Sequence, residues 1–328
     1  MKYLSPWIYT SYKCNLNCDY CYVSQSDIEI SDNVLEDINN KFSLMIDKQE
    51  VDYIVWRIAG GEPLLNFDKW SKYFSDFKNK HKENSFISII TNLTILNNEM
   101  LEYFKINNCG FGISLDGFSF SKPYHNGESS SLVVIKNIEK LIAYRGKNNV
   151  DITTVLNFKS IQDIDRLARF ILNNDLNWGI YLDHYYSGEF MEPEILKKLY
   201  TAIDILSYGG YDLINKFKFN NIKLSGNYDG CQAGKNLIAV GCNGEVWPCQ
   251  TLLYDGPICN VKNFNTKKLI AQKIYDVGYN LKIKDKCLDC SIYDECRGGC
   301  KLHNNPEYTC LIIKKVVLYL LKIITKEA

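Results

Sequence analysis

Neither sign of charge is in excess. The 38 Lys and Arg residues balance 38 Asp and Glu, so the chain advertises no nucleic-acid partner and no anionic membrane surface. Proline is scarce at 7 residues and glycine modest at 20, which excludes collagen-like and low-complexity classes. Met1 to Trp7 lack the basic stretch and apolar run of a secretory signal. No apolar run has the length of a membrane-spanning helix, so none is expected.

What the chain does have is a hydrophobic content of 46% and an aromatic content of 13% over 328 residues. That excludes disorder and suffices for a sizeable core, in one large domain or two of ordinary size. It also has 13 cysteines, unevenly placed: three at positions 14–21, one at 109 and nine between 231 and 310. Even scattering would put about three in that last stretch, so the local density needs a cause. The missing signal and the odd total weigh against a secreted disulfide framework, and metal binding becomes the leading explanation.

From about residue 6 to 206 two kinds of segment alternate. Short β-branched and aromatic runs read as buried parallel strands: Trp7–Ser11, Tyr53–Ala59, Phe86–Thr91, Phe111–Leu115, Asp151–Leu156 and Trp178–Leu182. Between them, apolar residues spaced by three and four predict helices over Ser31–Lys48, Phe67–Lys80, Asn97–Asn107, Ser131–Tyr144, Ile161–Asn173 and Glu192–Leu206. Six strand-then-helix units imply an α/β domain with a parallel sheet, either open or wound into a barrel. After about 225 glycines punctuate short segments and no helical period survives until the tail. That region reads as a small irregular domain held by its cysteines. The tail Leu311–Ile324 places Lys314, Lys315 and Lys322 on one face; a helix docked on the core is favoured over one lying on a membrane.

Cys14-Asn-Leu-Asn-Cys18-Asp-Tyr-Cys21 follows the first predicted strand. Three thiolates at these spacings converge when the loop wraps around one centre. A cubane iron–sulfur cluster normally takes four cysteines, so a three-cysteine site leaves one iron open. A structural zinc site wants four ligands, and the nearest histidine is His81. Gly60-Gly61-Glu62-Pro63 follows the second strand and, taken alone, is a turn. Thr91-Asn92-Leu93 follows the third, and Gly112-Ile-Ser114-Leu-Asp116-Gly117 spans the end of the fourth.

With Tyr20 before its last cysteine, the first loop resembles the defining motif of the radical S-adenosylmethionine (SAM) enzymes. That resemblance implies a partial (β/α)6 TIM-like barrel with a SAM-binding [4Fe-4S] cluster on Cys14, Cys18 and Cys21. It further implies SAM contacts from Tyr20, Gly60, Gly61, Glu62, Pro63, Asn92 and Ser114, the Glu62 carboxylate complementing an ammonium. Leu93 departs from the family, which carries Gly there, and puts that turn in question.

Cys231, Gly244, Cys249, Cys287, Cys290, Cys296, Cys300 and Cys310 resemble, in every internal spacing, the SPASM extension of these enzymes. The resemblance implies a barrel over 1–225 and an auxiliary-cluster domain with a terminal helix over 226–328. Cys287, Cys290, Cys296 and Cys310 would hold one auxiliary [4Fe-4S] cluster; Cys231, Cys249 and Cys300 would hold another. The fourth ligand of the latter is Cys242, Cys259 or an open iron, with Cys259 favoured. Cys109 reads as an inert core residue. The alternative of another class is a non-catalytic zinc-binding interaction module.

Such enzymes mostly act on peptides or proteins. Gln250 follows Cys249 where sulfatase maturases carry Asp, and Gln cannot act as a base. Maturation of a ribosomally made peptide, by thioether or carbon–carbon crosslinking or by epimerisation, therefore stands ahead of formylglycine formation in a sulfatase. Cys14 leaves no room ahead of it for a leader-binding domain, so a separate leader-peptide-binding protein or the barrel mouth is expected to do that work. A flavodoxin or ferredoxin is the expected electron donor. His184, in Asp183-His184-Tyr185-Tyr186, is the candidate base, against a structural reading; Tyr124-His125 stays unassigned. An open iron implies a reducing, low-oxygen cytoplasm.

Overall fold

In the computed structural model, residues 2–119, 122–183, 192–222, 224–225, 230–253, 255–265, 284–300, 302 and 306–327 are described. The β-branched and aromatic runs form β1 (Tyr3–Tyr9), β2 (Tyr53–Ala59), β3 (Ser85–Thr91), β4 (Gly110–Ser114), β5 (Val150–Leu156) and β6 (Asn177–Leu182). Each is followed by its helix: α1 (Asp32–Asp47), α2 (Phe67–Lys80), α3 (Asn98–Ile106), α4 (Ser131–Arg145), α5 (Ile164–Asn174) and α6 (Glu192–Tyr208). Ser31 caps α1 by accepting from the Val34 N–H at 3.3 Å, and Asn97 caps α3 by accepting from Met100 at 2.8 Å. Two element starts differ from expectation by more than one residue. β1 begins at Tyr3 because the strand runs through Pro6, a residue that lacks a ladder donor and hid the start. α5 begins at Ile164 because Ser160–Asp163 form a tighter 3₁₀ turn.

Strand alternation decides which face is dry. Ile54, Trp56 and Ile58 of β2 are fully buried, whereas Tyr53, Val55 and Arg57 are partly exposed. Trp56 meets Phe42 of α1 and Phe74 and Phe77 of α2 edge-on, with ring centroids 5.0, 5.1 and 4.8 Å apart. Each such side chain taken out of water stabilises by about 1.5–3 kcal/mol. The helices thus cover one face, and the other stays partly open as the concave interior of an unclosed barrel.

The sheet continues beyond the six expected strands. β7 (Phe217–Phe219) pairs parallel with β6, and β8 (Leu237–Val240) pairs parallel with β1, Ser5 opposite Leu237 and Ile8 opposite Val240. β9 (Glu245–Trp247) and β10 (Cys259–Asn260) follow antiparallel, giving the order β10-β9-β8-β1-β2-β3-β4-β5-β6-β7. The stretch after 225 is therefore less irregular than its composition suggested. Its strands are two to four residues long, too short for a sequence period to show.

The C-terminal helix, Pro306–Glu327, docks on the core as expected: Ile312, Ile313, Val316, Val317 and Leu320 are buried. Its Tyr319 stacks on Tyr200 of α6 at 4.1 Å and donates to Asp204 at 2.7 Å. Among the described residues, no helix is long and apolar enough to cross a membrane.

Candidate functional site

The chain leaving β1 carries Cys14, Cys18 and Cys21; the first two are half-buried and the third exposed. Burial pushes the Cys14 thiol up to about 11 and the Cys18 thiol up to about 12. The other thiols of the loop add to both shifts, so the three share one electrostatic neighbourhood. Opposing burial, the Leu16 N–H points at the Cys14 sulfur at 3.4 Å, the Asn92 amide at 3.7 Å, and the Lys122 charge favours the Cys18 thiolate. Among the described residues, no three His, Cys, Asp or Glu side chains already meet at the distances of a single metal ion.

Gly60 and Gly61 act on this loop directly. A Cβ on Gly61 would lie 2.3 Å from the Lys13 carbonyl oxygen, and one on Gly60 2.6 Å from that of Ser11. Gly61 and Glu62 donate their N–H groups to those carbonyls, Ser11 at 2.8 Å and Lys13 at 2.9 Å. The close approach that demands glycine is thus made to the cysteine-bearing segment itself. Pro63 is buried and opens the 3₁₀ turn Pro63–Asn66.

Glu62 is wholly buried and its carboxylate accepts three hydrogen bonds. Oε1 accepts from Thr91 Oγ1 at 2.7 Å and Leu64 N at 3.0 Å, and Oε2 accepts from Asn92 N at 2.7 Å. Burial raises its pKa to about 7 against those three donors. The residue fastens the exit of β2 to that of β3. Asn92 is fastened in turn: its Nδ2 donates to Asn15 Oδ1 at 3.0 Å and its Oδ1 accepts from Thr94 N at 3.0 Å. Leu93 keeps the turn despite its side chain, adopting φ 51° with its side chain fully buried. Ser114 stands half-exposed at the end of β4, opposite Thr153.

Three further contributors, Asp116, Lys122 and His125, were given no role from the sequence. Asp116, one per cent exposed, receives the Tyr20 hydroxyl on Oδ2 and the Val155 N–H at 2.9 Å on Oδ1. Lys122, eight per cent exposed, faces Asp116 Oδ1 at 3.8 Å and lies over the Tyr20 ring. These groups, with Cys18, Asn157 and Ser160, line a cleft beneath the cysteine loop. His125 approaches the Cys14 carbonyl at 3.0 Å, and Asn17 donates to the Pro123 carbonyl at 2.8 Å, so the segment after β4 clamps the loop. A carboxylate ending an apolar strand was a visible signal for Asp116, and His125 was noted without a role; Lys122 had no signal, being set by distant chain folding.

The C-terminal thiols form two electrostatic groups. Burial pushes Cys296 up to about 11, and Cys310, Cys290 and Cys287 add to the rise. Cys249 is raised by burial, with Cys231 a lesser contributor. Cys259 sits on β10 opposite Val246, and Cys300 is half-buried at the end of the 284–300 segment. Cys242 differs: it is buried, and its sulfur faces the carbonyls of Tyr9 at 3.3 Å and Ile28 at 3.8 Å. Cys109 is fully buried and away from these groups, as expected of a core residue. His184 lies outside the described residues.

The donor set of the N-terminal loop suits an iron–sulfur cluster. Partly desolvated thiols with N–H donors aimed at sulfur and a buried cation nearby are the surroundings in which thiolates hold such groups. Three thiols leave one position of a cubane cluster to an exchangeable ligand.

Comparison with known proteins agrees. The sequence pattern of the radical SAM superfamily matches residues 8–171. The chain is 31% identical over 174 residues to the uncharacterized protein MJ0907 of Methanocaldococcus jannaschii, covering 49% of this chain and 55% of that one. It is 27% identical to the cysteine-type anaerobic sulfatase-maturating enzyme of Clostridium novyi, covering 94% and 90% respectively. It is 24% identical to the radical SAM cyclopropyl synthase TigE of Paramaledivibacter caminithermalis, covering 88% and 66%. Thus it spans about half the length of the first relative and just under two thirds of the last. Among solved structures, native anSMEcpe with bound AdoMet and Cp18Cys peptide superposes with a TM-score of 0.80 at 19% identity over 98% of both chains. Streptococcus suis SuiB bound to precursor peptide SuiA gives 0.67 at 18% identity, over 94% of this chain and 74% of that one. These likenesses establish the fold.

Proposed function

The chain belongs to the radical SAM superfamily, and on that premise we propose that it cleaves SAM reductively and modifies a ribosomally made peptide, by crosslinking or epimerisation. When bound, a [4Fe-4S] cluster and SAM supply the electron and the sulfonium whose cleavage yields methionine and a 5′-deoxyadenosyl radical. The observation that carries the reading is the loop Cys14–Cys21, whose entry at Ser11 and Lys13 is held by the N–H groups of Gly61 and Glu62. Cys14, Cys18 and Cys21 would hold the cluster; the Leu16 N–H and the Asn92 amide would support the Cys14 thiolate. Tyr20, whose hydroxyl Asp116 secures, Gly60, Gly61, Glu62, Pro63, Asn92 and Ser114 would be the SAM-side residues.

Residues 226–328 are assigned as the auxiliary-cluster region. Cys287, Cys290, Cys296 and Cys310 would hold one cluster, and Cys231, Cys249 and Cys300 the other. Cys242 faces backbone carbonyls, which leaves Cys259 as the fourth ligand in preference to it. A peptide as substrate is supported by the likeness to SuiB bound to precursor peptide SuiA. The peptide's leader is expected on a separate protein or at the barrel mouth, electrons from a flavodoxin or ferredoxin, and the site of action in the cytoplasm.

A second reading, formylglycine formation in a sulfatase, is favoured by the match to the C. novyi enzyme along nearly the whole chain. Gln250, which has no basic carboxylate, stands against it. Anaerobically reconstituted protein should release 5′-deoxyadenosine with strong reductant, and replacement of Cys14, Cys18 and Cys21 by Ala should abolish the release. Colourless, zinc-loaded protein without cleavage would overturn the proposal. Formylglycine on a Cys-x-Pro-x-Arg peptide would select the second reading.

A further inference from the structure

Tyr9, the last residue of β1, is fully buried between two thiol-bearing segments. Its hydroxyl lies 2.9 Å from the carbonyl oxygen of Gln250, the residue after Cys249, and 3.3 Å from the hydroxyl of Tyr22, the residue after Cys21. A carbonyl can only accept. With one proton on its oxygen, Tyr9 donates to Gln250 and must receive the proton of Tyr22. The result is an oriented chain, Tyr22 O–H to Tyr9 O–H to Gln250 C=O, running from the N-terminal loop to the Cys249 turn. Tyr9 is itself pinned, since its carbonyl accepts from Cys242 at 3.3 Å and its ring sits 5.9 Å from that of Tyr12.

Hydrogen bonds in a dry interior polarise one another, and the partners that orient metal ligands tune the metal they hold. We infer that Tyr9 is a positioning residue that couples the metal site of Cys14, Cys18 and Cys21 to the one containing Cys249. A change of ligation at Cys249 moves the Gln250 carbonyl, Tyr9 follows it, and Tyr22 transmits the shift to the segment next to Cys21. This coupling rests on the cluster assignment above, and its test separates the two.

Anaerobically reconstituted holoprotein is titrated electrochemically, and the midpoint and paramagnetic signal of the SAM-responsive cluster are read in four proteins: wild type, Cys249→Ala, Tyr9→Phe and the double variant. Cys249→Ala shifts the midpoint when Tyr9 is present, and the shift largely vanishes in the Tyr9→Phe background. Tyr22→Phe, altering a less buried residue, removes the shift likewise and serves where Tyr9→Phe folds poorly. Tyr12→Phe breaks a contact to the Cys242 N–H at 3.4 Å, outside the chain, and leaves the shift intact. An equal shift with and without Tyr9→Phe, or none on Cys249→Ala alone, overturns the coupling while the cluster assignment stands. Wild-type protein that takes up no iron overturns both.

Discussion

Gly61 gives its backbone N–H to the Ser11 carbonyl at 2.8 Å, so the turn after β2 is a backbone splint for the chain leaving β1. Glu62 does the same for the Lys13 carbonyl at 2.9 Å, so both bonds fall just ahead of Cys14.

Gly61→Ala should therefore damage the metal site through sterics. Its new methyl would stand 2.3 Å from the Lys13 oxygen, and a backbone atom held at both ends cannot yield. A loss of about 1–3 kcal/mol is expected, read as a lower denaturation midpoint. Iron uptake at the N-terminal loop should fall with it, measured after reconstitution.

Asp116 and Lys122 form a buried ion pair, one and eight per cent exposed and 3.8 Å apart. Asp116→Asn or Lys122→Met strands the remaining charge and should cost about 3–5 kcal/mol each. The double variant should cost less than the sum of the two. A urea-denaturation cycle on the four proteins checks this, and strict additivity would refute the pairing.

Leu93 should invert the usual rank of small residues. A left-handed residue other than glycine is strained by roughly 1–2 kcal/mol, whereas truncating a buried leucine costs about 2–5 kcal/mol. Both Leu93→Ala and Leu93→Gly should destabilise, but the glycine variant less, because at φ 51° it relieves the strain that alanine keeps. Denaturation midpoints of the two variants decide it.

His81 should give stability an acid limb. Burial, with Lys80 nearby, holds its imidazole below the ordinary range, and its Nε2 lies 3.0 Å from the Ser43 hydroxyl. The folded state disfavours the charged ring, so this contribution is fully present above the ordinary value of about 6.5 and is lost as pH falls toward the folded value. The melting temperature of wild type relative to His81→Gln should decline from about pH 7.5 to 5.5. A difference independent of pH would refute it.

Much of this was legible beforehand, for physical reasons. Periods of two and of three-to-four expose elements as long as β2 and α2, and the spacing of Cys287, Cys290, Cys296 and Cys310 carried a resemblance to a known family. Other features had no local signature. Lys122 reaches Asp116 only through the fold, and Tyr9 meets Gln250 across 241 positions of chain. Glu62 was read from its motif as complementing an ammonium, and a motif does not also show that Thr91, Asn92 and Leu64 donate to its oxygens. β8 to β10 hid because two to four residues carry no rhythm.

The pairing of β8 with β1 bears on how such chains can be recombined. A cut near 225 strips Ser5 to Ile8 of their neighbour and exposes an unprotected sheet edge, open to pairing with other molecules. The cysteine-rich part is consequently no portable cassette. A working chimera must import, along with the thiols, a strand whose register and side chains suit the recipient's first one.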